Sequence, residues 1–535
     1  MPITEEPRFA GFTARMMEIT STQAAWHRRL WRSGTIQIGR ELLEESIRPG
    51  VRESAINDQR KYLMQCLQTD HGIDDRGRRV QETVKSLKVG ITDSSHAWIT
   101  LREHLDKMHD AYLTTWADAL DAQPTGNKPV DVEGAVRRIT AHLLDAGMHK
   151  SSLYAWLRAT QDPERSIDSI TLGDFIRAAD EKLQRPVRSF TFCVPVETRP
   201  KFNISSSTSP GWMTSSDTAQ WKRVHAPKAP NVRQQGSFLL TVQARDVNAA
   251  AEEARTVISN LVTKFQLGTT TPITVCSRMW SKEKKTDFPT QATNRLINVR
   301  SLERLGRVQE LTSIDYITNT LALAYPLRTG APHIAVMSGW SAIESLMVGP
   351  SDDQDVVAAR RFSLIVAASM VRAEFTRLSR RYVETHDDEA SVQMSECDEN
   401  IARAKLFQMH ACANLAIDLG SETDNLALAR IRPALTNPRQ EVERITEILT
   451  REFTRLYRKR NMIVHGGQIH GSNLHSISDT LTPLIGAGID RVVHVGLKHG
   501  IRPVELSAIA ESRLDYLVPS TATSAGNLLE LLEFA

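Results

Sequence analysis

The chain has 535 residues, more than one ordinary core holds, so two or three domains are expected. Hydrophobic residues make up 41% and charged residues 24%, with a mean hydropathy of −0.31, the balance of a soluble globular protein. With 66 basic against 63 acidic residues the net charge is only +3, so bulk charge argues for no polyanionic partner and only local clustering would.

The cysteines (Cys66, Cys193, Cys276, Cys397 and Cys412) are scattered, odd in number and form no CxxC pair. This speaks for a reducing compartment and against a disulfide framework or a thiolate zinc site. Met1 to Arg15 has no apolar run ending in small residues, so no secretory leader is read. Apolar runs such as Leu364 to Val371 fall far short of the ~18–20 residues that span a bilayer. The expected location is cytoplasmic, with no membrane partner.

In chain order, residues 1–122 read as a helical region. Helical spacing rich in Glu, Leu, Arg and Ala covers Ser21–Ile47, Glu53–Thr69 and Ser95–Asp121. The stretch from Asp121 to Pro129 holds two prolines and a glycine and reads as a linker. Residues 131–300 read as an α+β unit. Helices are expected near Val132–Gly147, Ser151–Thr160, Leu172–Leu183 and Asn248–Phe265. Strands are expected at Ser189–Val196, Phe238–Val242 and Ile273–Cys276, where β formers alternate. A long Ser/Thr/Pro-rich loop is expected from Glu197 to Gly236, and Lys282–Lys285 reads as charged surface. Residues 305–535 read as helical again, with segments near Ser313–Tyr325, Pro332–Val348, Val356–Val383, Asn400–Leu419 and Glu441–His465. Glu384–Glu399 reads as a solvated loop. The fold expected is mainly α with a small α+β middle.

The Glu441–His465 segment carries the chemistry. At about 100° per residue, Val442, Ile445, Leu449, Phe453, Leu456 and Ile463 form one stripe. Arg451, Arg455 and Arg458 fall opposite, where water or phosphate is expected to reach them. Arg460 instead falls inside the stripe. A guanidinium stays charged, so it requires a carboxylate, a cleft or an anion-sized space. Asn461 and His465 share a side at i, i+4, and Gly466-Gly467 is a helix stop. On Pro332–Val348, Glu344 shares the inward face with Met337 and Trp340 and is the expected partner that orients Arg460 or His465.

The run from Leu456 to Gly467, with Arg460, Asn461, His465 and the glycine pair, resembles the Arg-x4–6-His signature of HEPN domains, and is similar to their ApeA-like branch. Trp340 to Leu346 resembles that branch's earlier acidic helix. The resemblance covers residues 305–475 and leaves 1–300 unexplained. It implies a helical bundle that cleaves RNA, tRNA among the candidates, without metal or cofactor. The 2′-hydroxyl attacks the neighbouring phosphate and leaves a cyclic phosphate. His465 is then the general base or acid, of a residue type that titrates near neutral pH. Arg460 stabilises the pentavalent phosphate, and Asn461 holds the phosphate or the histidine. It also implies a homodimer with a composite cleft and, by analogy, a regulated effector of antiviral abortive-infection defence answering a phage-derived trigger.

Two other readings stay open. Arg460–Glu344 suits a structural pair in a non-catalytic binding or dimerisation module, with His465 a favourable helix C-terminal cation. Leu144–Leu157 has the turn of a helix-turn-helix, which makes Ser151, Ser152 and Arg158 the base-reading candidates of a DNA-binding regulator. His465, His470 and His475 recur every five residues, a spacing that does not stack metal ligands on one face. P-loop, GxSxG and HExxH motifs are absent.

Overall fold

The computed structural model describes residues 7–48, 51–88, 90–122, 131–160, 171–197, 211–269, 272–291, 295, 297–310, 314–349, 352, 356–467 and 473–534. Most of the expected linker at 121–129 and His470 lie outside them. The chain is mainly helical, with one five-stranded antiparallel sheet in the middle. Among the described residues no helix is long and apolar enough to cross a membrane.

The first core is all-helical and runs further than composition suggests. Helices Val132–Asp145, Lys150–Thr160 and Leu172–Gln184 bury Ile139, Leu153, Leu157, Phe175 and Ile176 with Phe12, Leu42, Leu63, Leu105 and Trp116. Phe12 and Phe175 meet edge to face, centroids 6.4 Å apart. The expected boundary near residue 122 is therefore not where one core ends and the next begins. These helices precede the first strand in sequence, but their apolar faces are complementary to the N-terminal helices and not to the sheet.

The sheet unit spans β1 (Arg188–Pro195), β2 (Trp212–Met213), β3 (Ser237–Ala244), β4 (Arg278–Ser281) and β5 (Thr286–Pro289), ordered β2-β3-β1-β4-β5. Phe190, Phe192 and Val194 alternate onto the face covered by helix Val247–Gly268, while Cys193 points to the opposite face, where Trp280, Ala226 and Trp221 pack. Two expectations fail here. Ile273–Cys276 makes only a single bridge, Val275 to Val196, and the pairing strands lie just beyond it. Lys282–Lys285, exposed as expected, is the turn joining them, with Lys285 at φ 56°. The expected polar loop holds β2 and helix Ser215–His225, whose Thr214–Asp217 capping box starts it.

The C-terminal bundle is built around helix Val356–Thr385, packed by Pro332–Met347, Pro438–Gly466 and Leu474–His499. Leu474–His499 goes unread in sequence because Pro483 and three glycines interrupt it. Packing needs those glycines: a Cβ at Gly488 would stand 2.3 Å from the Phe362 ring. The solvated loop at Glu384–Glu399 contains a short helix, Glu389–Ser395, capped by Asp388.

The N-terminal and C-terminal regions are bound together by buried charge. Ser21–Ile47 is not one helix. It breaks after Thr20 into a 3-10 turn, Trp26–Arg28, before Thr35–Ser46 resumes. The break carries Arg28 onto Glu374 and Asp424 of the bundle, each at 2.6 Å, and Trp31 into the bundle's core. Local helix propensity yields to these tertiary contacts.

At the same junction Asp145 accepts from the Gly34 amide at 3.3 Å and from Ser476 at 3.4 Å. Burial, with Glu41 nearby, pushes its carboxyl up to about 7 against the lowering pull of Arg455. A raised carboxyl favours the neutral form in the fold. Its contribution is full below the ordinary aspartate range and is lost as pH rises towards 7. Asp145→Asn should therefore gain in Tm relative to wild type, by a few degrees, between pH 5 and pH 8. A difference that does not change with pH would contradict this.

Candidate functional site

Helix Pro438–Gly466 starts with proline at its first position and ends on Gly467, whose φ of 62° and N–H to the Ile463 carbonyl (3.1 Å) close the last turn. Gly467→Ala should cost about 1 kcal/mol through its left-handed backbone. Urea unfolding measures it, with faster amide exchange expected at Ile463–Gly467.

The apolar stripe is buried as expected: Val442, Ile445, Leu449, Phe453, Leu456 and Ile463 are all in the core. The opposite face is largely covered around Arg455. Helix Thr35–Ser46 lies along it and supplies three glutamates. Arg455, 5% exposed, donates to both oxygens of Glu41 (2.7–3.0 Å) and to Glu452 at 3.3 Å. Arg458 donates to Glu45 at 3.1 Å, and buried Lys459 to Glu44 at 2.8 Å. Arg451 lies over the Tyr62 ring at 4.6 Å and 3.9 Å from Glu447. The expectation that these arginines face water or phosphate is corrected for Arg455 and Arg458, which glutamates hold, while the Arg451 side chain stays 35% exposed. Arg455 and its neighbours hold Glu41 well below the ordinary carboxylate range despite burial that raises it.

Arg460 does leave the stripe's interior. Its side chain is 26% exposed, donates to Asn461 Oδ1 at 2.9 Å and lies 4.0 Å from Glu344. The register has a plain origin. Trp340 is fully buried against Tyr457, ring centroids 4.9 Å apart. Glu344 is one turn beyond Trp340, and Arg460 nearly one turn beyond Tyr457, so the aromatic contact sets the polar one. Sequence and structure therefore agree on Glu344 beside Arg460, and Glu344 is not placed on His465 by any hydrogen bond or ion pair among the described residues.

His465 is exposed at the helix end and makes no hydrogen bond or ion pair among the described residues, and Val464 beside it is 50% exposed. One residue near this end escaped sequence reading. Arg48, at the end of the N-terminal helix, lies against Gly466, its Nη1 3.2 Å from where a Cβ would stand. No local pattern links positions so far apart in the chain.

The helix-turn-helix reading meets an obstacle. Gly147 does make the turn, at φ 95°. The second helix, however, begins docked: Ser152 donates to Asp246 at 2.6 Å, and Lys150 reaches Asp479 at 2.7 Å. Ser151 is half-buried, and Arg158 alone of the three base-reading candidates is exposed. A recognition helix whose N-terminal turn is covered cannot enter a major groove.

The chain matches no protein-family model, no curated protein and no solved structure.

Proposed function

We propose that this chain is a metal-independent endoribonuclease of the HEPN type, acting through Arg460, Asn461 and His465 with Glu344 as the positioning residue of Arg460. The observation that carries the reading is the open end of helix Pro438–Gly466. An exposed histidine with no partner among the described residues stands there with Arg460, restrained by Glu344 and Asn461, nearby on the same helix and Arg48 against Gly466. A helix C-terminus carries partial negative charge and is by itself the wrong end for an anion. Two guanidiniums counter that partial charge, Arg460 beside Glu344 and Arg48 within the influence of Glu44 and Glu45, and leave a phosphodiester admissible.

The chemistry follows from these groups. The 2′-hydroxyl forms a bond to the adjacent phosphorus as the bond to the 5′-oxygen breaks, leaving a 2′,3′-cyclic phosphate and a 5′-hydroxyl. One His465 takes the 2′ proton or delivers one to the leaving oxygen, and a single imidazole does not do both at once. A second copy supplies the other, which accords with a homodimer and with apolar Val464 exposed beside the histidine. Arg460 meets the charge that grows on the phosphate oxygens.

The role is that of a regulated RNA-cleaving effector, with antiviral defence by abortive infection as its setting and a phage-derived signal as its trigger. Incubating the purified chain with total RNA and with tRNA in EDTA, with and without phage lysate, tests it. Discrete fragments in EDTA are expected. No fragments in either condition, or a strict need for a divalent ion, would sink the reading and favour a structural Arg460–Glu344 pair in a binding module.

A further inference from the structure

A cavity of about 1030 Å³ lies among the Thr22–Arg29 segment, the Asn298–Arg304 turn, helices Val356–Thr385 and Leu474–His499, and the Leu528–Leu532 turn, and shares no lining residue with the Arg460–His465 site. Eight arginines line it against three carboxylates. Those carboxylates do little to balance the charge. Asp490 accepts the Ser301 amide at 2.7 Å. Asp424 is already held by Arg28 at 2.6 Å, and Arg377 and Arg381 of the cavity approach it only to 3.8 and 3.6 Å. Glu384 is exposed beside Arg381.

The remaining cations are short of partners. Arg372 and Arg491 share the single carboxylate of Glu533, at 2.9 and 2.6 Å; Arg491 also donates to the Leu532 carbonyl, and each keeps a buried Nε with no hydrogen-bond partner among the described residues. Arg300 and Arg304 are exposed on the cavity rim and make no ion pair among the described residues. Burial lowers the Arg491 guanidinium to about 10, which leaves it cationic at neutral pH. Like charges gathered around a shared space repel unless an anion occupies it. The walls are not only polar: half-buried Trp26 offers an aromatic surface, and Leu528 and Leu532 an apolar one.

We propose that this cavity binds a nucleoside polyphosphate, its phosphates held by the arginines and its base against Trp26. The volume suits a ligand of that size. Guanidinium–phosphate pairs give exposed Arg300 and Arg304 the counter-charge they lack among the described residues, and an aromatic wall explains a nucleoside in preference to bare phosphate. The ligand touches the N-terminal segment, the turn after the sheet and the C-terminal bundle at once, so its binding reports to the whole molecule. The proposal rests on this cavity alone and holds whether or not the chain cleaves RNA.

Calorimetry on the full chain tests it, with magnesium-free ATP, tripolyphosphate and adenosine as probes. ATP should bind, tripolyphosphate more weakly, and adenosine not measurably. Arg300→Ala/Arg304→Ala, both exposed and without an ion pair among the described residues, should weaken ATP at least tenfold with an unchanged Tm, while Arg78→Ala/Arg158→Ala, exposed and outside the lining, should leave it unchanged. Trp26→Leu should erase the preference for ATP over tripolyphosphate. Absence of ATP binding, equal loss in both double variants, or tripolyphosphate binding as tightly as ATP to the wild type would overturn the proposal. So would displacement of ATP by a short RNA, which would make the cavity part of an RNA path.

Discussion

Alanine at His465 is expected to slow RNA cleavage by roughly 10²–10⁴, the usual weight of a positioned acid–base group. Alanine at Arg460 should cost roughly 10²–10³, the weight of one charge-stabilising donor. Both variants should keep the wild-type Tm to within a degree or two, because among the described residues exposed His465 has no partner and Arg460 has a 4.0 Å contact and a neighbour on its own helix. That separation of rate from stability distinguishes a catalytic role from a structural one. Arg460→Lys should recover little, since an ammonium lacks the fork that meets two phosphate oxygens. Glu344→Gln should give a smaller rate loss than Arg460→Ala, and its cause should be a more mobile guanidinium. Single-turnover rates on a defined tRNA measure all of these, and an undiminished rate in His465→Ala would place the chemistry elsewhere.

The second large effect concerns stability. Arg455→Ala leaves Glu41, 2% exposed, as an uncompensated buried charge beside Glu452 and Glu45, and should cost about 3–5 kcal/mol. Glu41→Ala should cost as much, because Arg455 loses its bidentate acceptor and Asn473 its 2.7 Å bond. Exchanging both for methionine should recover most of the loss, as hydrophobic replacement of a buried pair often does. Because Glu41 is held below the ordinary carboxylate range, the pair's contribution is present above that range and falls away as pH drops through and below it. The single variants should thus differ most from wild type at neutral pH and least near pH 3. Chemical denaturation at several pH values measures this, and additive losses in the double variant would show that the two charges do not act together.

This junction also explains what the sequence made legible and what it did not. The apolar stripe of helix Pro438–Gly466 was readable because each residue's neighbours lie three or four positions away, and Glu344 beside Arg460 followed from the same periodicity on a second helix. Strands β1 and β3 were readable from alternation. Arg455 and Arg458, opposite the stripe, escape the sequence for one reason: periodicity shows that a face is polar and says nothing of what covers it. Here the cover is a row of glutamates, Glu41, Glu44 and Glu45, some 400 positions earlier in the chain. Arg48 was invisible for the same reason. The break at Trp26–Arg28 and the long helix Leu474–His499 were missed because burial against distant partners overrode local signals, a helical pattern in one case and proline and glycine in the other.

The reaction proposed for Arg460 and His465 is metal-independent transfer of the phosphoryl group to the 2′-hydroxyl. Mass spectrometry of the 3′ ends of a defined tRNA, cleaved in EDTA by wild type and by Arg460→Ala and His465→Ala at matched Tm, tests it most directly. The predicted result is 2′,3′-cyclic phosphate from wild type and none from either variant. Ends bearing a free 3′-hydroxyl, or cyclic phosphate in equal amount from all three proteins, would contradict it.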